Sequence, residues 1–178
     1  MGSLCHARGG QLVQEIYHLE RYGFINNANG SWIHDVAVII LNRDIKFDDQ
    51  TALPIDLPVS GYDPAPGSKS MLAGWGFQHW HQPPATPCLY SVDLEIVDRQ
   101  QCNQTYYDTF SRVKDGQICA GMPQGNRGPC SGDSGSGLIQ NNTIVGLVSF
   151  GRGCEQPGSY GVYTNVGSYV DWINRHRK

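Results

Sequence analysis

Gly128-Pro-Cys-Ser-Gly-Asp-Ser-Gly-Ser-Gly137 is the most informative run in the chain. A serine hydroxyl is a poor nucleophile unless a base takes its proton and donors await the oxyanion that forms. Glycines on both sides of Asp133-Ser134 let the backbone turn tightly, expose the hydroxyl and aim successive N–H groups into one small space. Read this way, Ser134 is a candidate nucleophile, and the N–H groups of Gly132 and Ser134 are candidate oxyanion donors. The competing reading is a plain surface turn, since Gly, Ser and Asp are ordinary turn residues. The run alone does not separate the two.

Outward from it, the cysteines come next. The chain has six, with no CxxC and no Cys/His ligand spacing, which argues for disulfides and against zinc. Three N-glycosylation sequons, Asn29-Gly-Ser31, Asn103-Gln-Thr105 and Asn141-Asn-Thr143, point with the cysteines to an oxidising, secretory history. The 178 residues suit one domain or two small barrels sharing a core. With 22 glycines, 10 prolines and only 16% charged residues, short strands joined by turns are favoured over long helices. A net charge of −3 without a basic cluster gives no footprint for nucleic acid or a membrane surface. No apolar run approaches the roughly 20 residues that span a bilayer.

Gln11 to His18 alternates loosely and predicts an edge strand, and Asn29-Gly30 marks a turn within Arg21–Gly30. Trp32 to Leu41 is almost continuously apolar, as a strand buried on both faces would be. Asp44 to Pro66 is a proline-rich loop, and Lys69 to Gly76 opens a new set of strands. Phe77 to Pro87 reads as a surface loop; its His79 and His81 lack the further ligands that a metal site needs. Leu89 to Val97 alternates, Asp98 to Tyr107 suits a short helix, and Ile144–Phe150 and Tyr160–Val166 read as core strands. Ser168 is the expected cap of a last amphipathic helix carrying Tyr169, Val170, Trp172 and Ile173.

Ordered motifs then bring in a resemblance. His34-Asp35-Val-Ala-Val-Ile-Ile-Leu41, Ala73-Gly-Trp-Gly76, Gln117-Ile-Cys-Ala-Gly121, Gly146-Leu-Val-Ser-Phe-Gly151 and Tyr160-Gly-Val-Tyr-Thr-Asn165 surround the serine run. Together they resemble the chymotrypsin/trypsin family of serine endopeptidases, from about Gly2 to the C-terminus. The resemblance implies an all-β fold of two antiparallel Greek-key barrels with a C-terminal helix. It divides one peptidase domain into a partial first barrel and crossover (1–68), a second barrel (69–167) and the helix (168–178). Only the later strands of the first barrel are encoded, so Val36, Val38 and Ile40 are expected to lack cover.

The same resemblance assigns roles. Asp35 and Ser134 match catalytic residues, with Asp35 orienting a histidine and steadying its charged form. Ser149 matches a serine that supports the aspartate, and Ser149-Phe150-Gly151 the edge along which substrate pairs as an added strand. Gly128 matches the floor of the primary specificity pocket, with Gly151 and Gly161 as its walls. No charge lies at Gly128, so an open apolar slot and a preference for Phe, Tyr, Leu or Met are expected, with Pro129 able to narrow the floor. Asp133 matches the residue that pairs with a newly cut N-terminal ammonium. Without such a terminus it is expected to be an unpaired buried carboxylate. Cys102–Cys119 and Cys130–Cys154 are the implied disulfides, while Cys5 and Cys88 match no partner and are expected to be free or to pair with upstream sequence. A family bridge is missing at both ends, where Ser70 and Gln140 stand.

No cofactor or metal is implied. The partners implied are protein or peptide substrates and protein protease inhibitors, in an extracellular setting. The histidine is the departure from the pattern. None of His6, His18, His34, His79, His81 and His176 lies in the family's Ala-Ala-His-Cys motif, and the chain is expected to be an N-terminally truncated, poorly active portion. A non-catalytic homologue serving as a binding or regulatory module is the alternative.

Overall fold

The computed structural model describes residues 4–5, 13–18, 33–48, 50–79, 88–106, 112–154 and 156–177, with 4–5 and 13–18 as backbone only. The readings placed on His6, Arg21–Gly30, the Asn29 sequon, Trp32 and His81 lie outside the described residues. In chain order the strands are β1 (Leu4–Cys5), β2 (Val13–His18), β3 (Ala37–Leu41), β4 (Lys69–Gly74), β5 (Cys88–Val97), β6 (Gln117–Gly121), β7 (Gly137–Gln140), β8 (Thr143–Gly151) and β9 (Gly161–Asn165). Helix α1 (Arg99–Thr105) lies between β5 and β6, and a 3-10 turn, Val166–Tyr169, leads into α2 (Val170–His176).

Strands β5-β4-β7-β8-β9-β6 are neighbours in that order, and β6 pairs back onto β5. All these pairings are antiparallel, so the six strands close into a barrel with no free edge strand. Leu72, Leu94, Ile96, Ile118, Leu138, Val145 and Tyr163 form its core. Burying each such side chain contributes about 1.5–3 kcal/mol. Every residue of β6 and β9 is buried, because a second apolar cluster covers their outer side. That cluster holds Cys102, Tyr106, Val113, Cys119, Tyr160 and Val162, and the Cys102–Cys119 disulfide runs through it. The fold is all-β with a C-terminal helix, as expected.

The other sheet is smaller. Among the described residues it is a two-stranded sheet in which β2 pairs antiparallel with β3, with His18 opposite Ala37. The expectation of a strand buried on both faces is corrected here. Residues alternate along β3, and Ile39 is 54% exposed. Val36, expected to lack cover, is 8% exposed and lies before the strand begins. An apolar run supplies what two-sided burial requires, but only neighbouring strands can deliver it.

Between the sheet and the barrel, the described residues of 44–68 form no strand but are tied down at several points. Asp56 N–H donates to Asn142 O (3.1 Å), and Asp56 O accepts from Ile144 N (3.0 Å). Gly61 N donates to Gly167 O (2.9 Å), and the Tyr62 backbone lies so close to Gly167 that a β-carbon there would collide with it. At the missing family bridge, Ser70 and Gln140 are both buried. The Gln140 amide accepts from Tyr62 Oη (3.2 Å) and donates to Ser68 Oγ (2.9 Å). A polar clasp thus joins β7 to the crossover.

Helix α1 starts as read: the Asp98 carboxylate accepts from the N–H groups of Gln100 (2.9 Å) and Gln101 (3.0 Å). The last helix differs. Ser168 is not its cap; the Asn165 side chain caps the preceding 3-10 turn by accepting from Gly167 N (3.0 Å), and α2 begins without a side-chain cap. The core strand β9 runs straight into the turn, so its last residue takes the capping role. Among the described residues, no helix is long and apolar enough to cross a membrane.

Candidate active site

The serine run folds into consecutive turns between the Cys130–Cys154 disulfide and the start of β7. Gly132 has φ +96° and Gly135 φ +80°, values that side-chain-bearing residues rarely adopt, and these two glycines lift Asp133-Ser134 into the turn. Ser134 is exposed. Hydrogen bonds from Asp133 N to Cys130 O (3.0 Å), Gly135 N to Val148 O (2.9 Å) and Ser136 N to Asp133 O (2.9 Å) fix the loop. The N–H groups of Gly132 and Ser134 make no hydrogen bond among the described residues. Two unengaged donors therefore flank Asp133 at the tip of a braced turn.

Strand β8 links this loop to Asp35. Val148 N donates to Ser136 O (2.9 Å), which pins the serine loop to the strand. The β8–β9 register shifts between Val148 and Phe150, leaving Ser149 as an extra residue. Such a bulge re-aims a side chain. Here the Ser149 hydroxyl reaches across the chain to donate to Asp35 Oδ2 (2.7 Å). Thr164 Oγ1 donates to the Asp35 carbonyl (2.8 Å) and holds its backbone to β9. The Thr164 contact was not read from the sequence, since Thr164 appears there as one more strand residue.

Asp133 differs from expectation. Its carboxylate is buried but not without partners: Gly76 N–H donates to Oδ1 (2.8 Å) and Cys130 N–H to Oδ2 (3.0 Å). A β-carbon on either Gly74 or Gly76 would collide with this carboxylate. The Gly74-Trp75-Gly76 motif is thus a cradle for Asp133, a role its sequence did not disclose. A cavity of about 310 Å³ opens beside it, lined among others by Phe77, His79, Tyr90, Arg127 and Asp133. Beneath the loop, Tyr163 is fully buried and its hydroxyl has no hydrogen-bond partner among the described residues. Burial, with the Asp133 charge adding to it, pushes the Tyr163 phenol above its ordinary range.

Of the residues expected to form the primary pocket, Gly151 and Gly161 face each other in the β8–β9 register. The buried Pro129 ring stands against Gly161, where a β-carbon would strike it. Phe150 is half-buried and packs edge-on against Tyr106, ring centroids 5.9 Å apart. Tyr160 is buried, with its hydroxyl 3.1 Å from Gln101 Nε2.

The histidines are dispersed. His34 does not lie on a strand: it has φ +59°, and its Nδ1 is 2.9 Å from Tyr169 Oη with the two rings edge to face. Burial lowers its pKa. His79 lines the cavity at Asp133, and His176 Nδ1 is 2.8 Å from Trp172 O. His18 enters only through the β2 backbone. No group of three or more potential metal ligands occurs among the described residues.

Cys102–Cys119 and Cys130–Cys154 are bonded in the structure. The expectation for Cys88 is corrected: it is disulfide-bonded, and the β1–β5 register sets Cys5 opposite it. Strand pairing made by β1 could not be foreseen from a two-residue strand.

Comparison with known proteins agrees with this arrangement. The family described as Trypsin matches residues 6–173. Trypsin 5G1 of Aedes aegypti is 33% identical over 97% of this chain and 63% of its own length. Trypsin Blo t 3 of Blomia tropicalis is 36% identical over 79% of this chain and 53% of its own. Trypsin eta of Drosophila melanogaster is 32% identical over 81% of this chain and 53% of its own. The chain therefore spans only about half to three fifths of these relatives. A solved structure, neuropsin, a serine protease expressed in the limbic system of mouse brain, superposes with a TM-score of 0.81 at 26% identity, over 93% of this chain and 70% of that one. The chain belongs to the trypsin family of serine proteases.

Proposed function

We propose that this chain carries part of the catalytic apparatus of a secreted serine endopeptidase. Ser134 is the nucleophile, the N–H groups of Gly132 and Ser134 receive the oxyanion, and Asp35, held by Ser149, orients the base. The observation that carries the reading is the pair of unengaged N–H groups on a glycine-built turn, braced to the same strand whose Ser149 holds Asp35. Buried Asp133, cradled by backbone donors, sets the turn, and the adjoining cavity suits an ammonium group brought to its carboxylate. The base is a histidine in the family's own motif, which this sequence does not contain. Alone, the chain turns over peptides poorly, retaining at best about 10³–10⁴-fold over water.

Protein and peptide chains are the substrates, and protein inhibitors of the same extended shape are the competing ligands. Although relatives bear the name trypsin, Gly128 offers no carboxylate to a substrate Lys or Arg. An uncharged pocket selects for buried apolar area at about 25 cal/mol per Å². The Pro129 ring against Gly161 shortens the slot, so Leu and Met are favoured over Phe and Tyr.

One observation favours a second reading, a non-catalytic homologue used for binding. Of the described histidine side chains, His34 is engaged by Tyr169 and His176 by the α2 backbone, while His79 lines the cavity at Asp133. A fluorophosphonate separates the two. On a longer protein that supplies the histidine motif, labelling at Ser134 abolished by Ser134→Ala is expected. A longer natural protein that lacks the motif and does not label would replace the peptidase reading with the binding one. Dominant cleavage after Lys or Arg would refute the apolar pocket.

A further inference from the structure

We propose that, of the two sequons among the described residues, Asn141 is the one glycosylated in the folded protein and that its first sugars lie along the groove between the crossover and the β7–β8 hairpin. The inference rests on the secretory reading above.

The sequons at Asn103 and Asn141 are alike in sequence and opposite in structure. On α1, Asn103 is half-buried, its Oδ1 accepts from Val113 N (2.9 Å), and its Nδ2 lies 3.4 Å from Val113 O. The hydroxyl of the same sequon, Thr105 Oγ1, donates to Gly158 O (2.8 Å). Neighbouring Cys102 is fully buried and bonded to Cys119. A sugar on Asn103 would therefore have to displace the chain at Val113 from the helix.

Asn141 sits at the two-residue tip of the β7–β8 hairpin. Asn141 (φ +45°) and Asn142 (φ +61°) both have left-handed backbone, the form such hairpin turns require and Asn tolerates. Asn141 and Asn142 are exposed, and the side chains of Asn141 and Thr143 make no hydrogen bond among the described residues. The backbone beneath is nonetheless held, through Asn142 O to Asp56 N and Ile144 N to Asp56 O. The amide nitrogen and the hydroxyl that a sequon needs are both available on a fixed platform.

The surface next to the tip needs cover. A groove of about 480 Å³ runs beside it, lined by Leu57, Pro58, Val59, Tyr62 and Asn141. Val59 is 74% exposed and Tyr62 37%. Sugar rings present C–H faces that pack on such apolar and aromatic surface while their hydroxyls face water. In the reaction, Asn141 Nδ2 bonds to C1 of the first N-acetylglucosamine of a lipid-linked oligosaccharide. The C1–O bond to the polyprenyl diphosphate breaks, the diphosphate leaves with the electron pair, and Nδ2 loses a proton. No oxidant or reductant is involved.

The test is translation of the full chain behind a cleavable secretory leader with microsomes, followed by recovery of the fraction with the leader removed and Cys102–Cys119 closed. Glycosidase release in ¹⁸O-water then marks each formerly glycosylated asparagine for peptide mass spectrometry. The mark is expected at Asn141 and absent from Asn103. Asn141→Gln and Thr143→Ala should each remove one glycan step on a gel, Thr143→Ser should keep it, and Asn103→Gln should change nothing. A mark at Asn103 in that fraction, or an unmarked Asn141, overturns the proposal. Binding of a hydrophobic dye should fall on glycosylation, and equal binding with and without the sugar overturns its placement in the groove. Because the leader forces entry, these outcomes are separate from the secretory reading, which fails if the cell's own protein is found in a reducing compartment with Cys102 and Cys119 as thiols.

Discussion

Strands β3 and β9 invite comparison. Each has five residues, each is rich in β-branched or aromatic side chains, and each follows a stretch of loop. Yet β9 is buried at every residue, while β3 alternates between exposed and half-buried. The difference lies in company. β9 has β6 and β8 on its two edges and the Tyr106–Tyr160 cluster outside, whereas β3 has β2 alone among the described residues. A strand's burial is a property of the sheet around it, and side-chain composition sets only what that burial is worth.

The largest expected effect tests that contrast by truncation. Leu138→Ala in the closed barrel should cost about 2–5 kcal/mol, as a cavity left in a well-packed core does. Ile39→Ala on the two-stranded sheet should stay within about 0.5 kcal/mol. Urea unfolding of both variants decides it, and equal costs would mean that β3 is covered in solution. Next comes the clasp between β7 and the crossover. Gln140→Ala removes its hydrogen bonds with Tyr62 Oη and Ser68 Oγ, hydroxyls that water can still reach, and should cost about 0.5–1.5 kcal/mol. A loss below about 0.5 kcal/mol would show that the crossover is held by its backbone bonds alone.

A middle-sized effect belongs to specificity. Pro129→Ser should open the slot beside Gly161 and move preference from Leu toward Phe and Tyr by about tenfold, the worth of one or two buried methylenes. A peptide library on an active, longer form reads this directly, and an unchanged profile would place the pocket elsewhere.

The smallest effect is in pH. His34, next to β3, has its pKa lowered by burial, so the unfolded chain takes up its proton more readily than the folded one. The sign follows from linkage: its contribution is fully present above the ordinary histidine value of about 6.5 and is lost as the pH falls through and below it. His34→Asn keeps a residue that tolerates φ +59° and removes the titration, so the variant's melting temperature should fall less between pH 7 and pH 5. Parallel pH dependence in both proteins would assign the effect to other groups.

Much of the barrel was legible because its signals are local. The alternation in Leu89–Val97, the short helix within Asp98–Tyr107 and the glycine-flanked serine each act over a few residues. Less legible was whatever depends on a distant neighbour. The bulge at Ser149 is a count of residues across β8 and β9, and the pairing of Cys88 follows from a two-residue strand at the other end of the chain. The setting of His34 was misread for a related reason. The apolar run Trp32–Leu41 predicts one strand, but His34 has left-handed backbone and precedes β3, so its ring meets Tyr169 instead.

The clasp of Gln140 with Ser68 and Tyr62 also divides the molecule by its response to a reducing agent. The cystines at 130–154 and 102–119 staple the serine loop and helix α1, the parts proposed to carry or border the chemistry. The crossover and the β7–β8 hairpin are joined by amides, hydroxyls and peptide groups, to which a thiol is indifferent. Reduction should thus melt function ahead of form: the turn bearing Ser134 loosens while the barrel and its strap keep their shape.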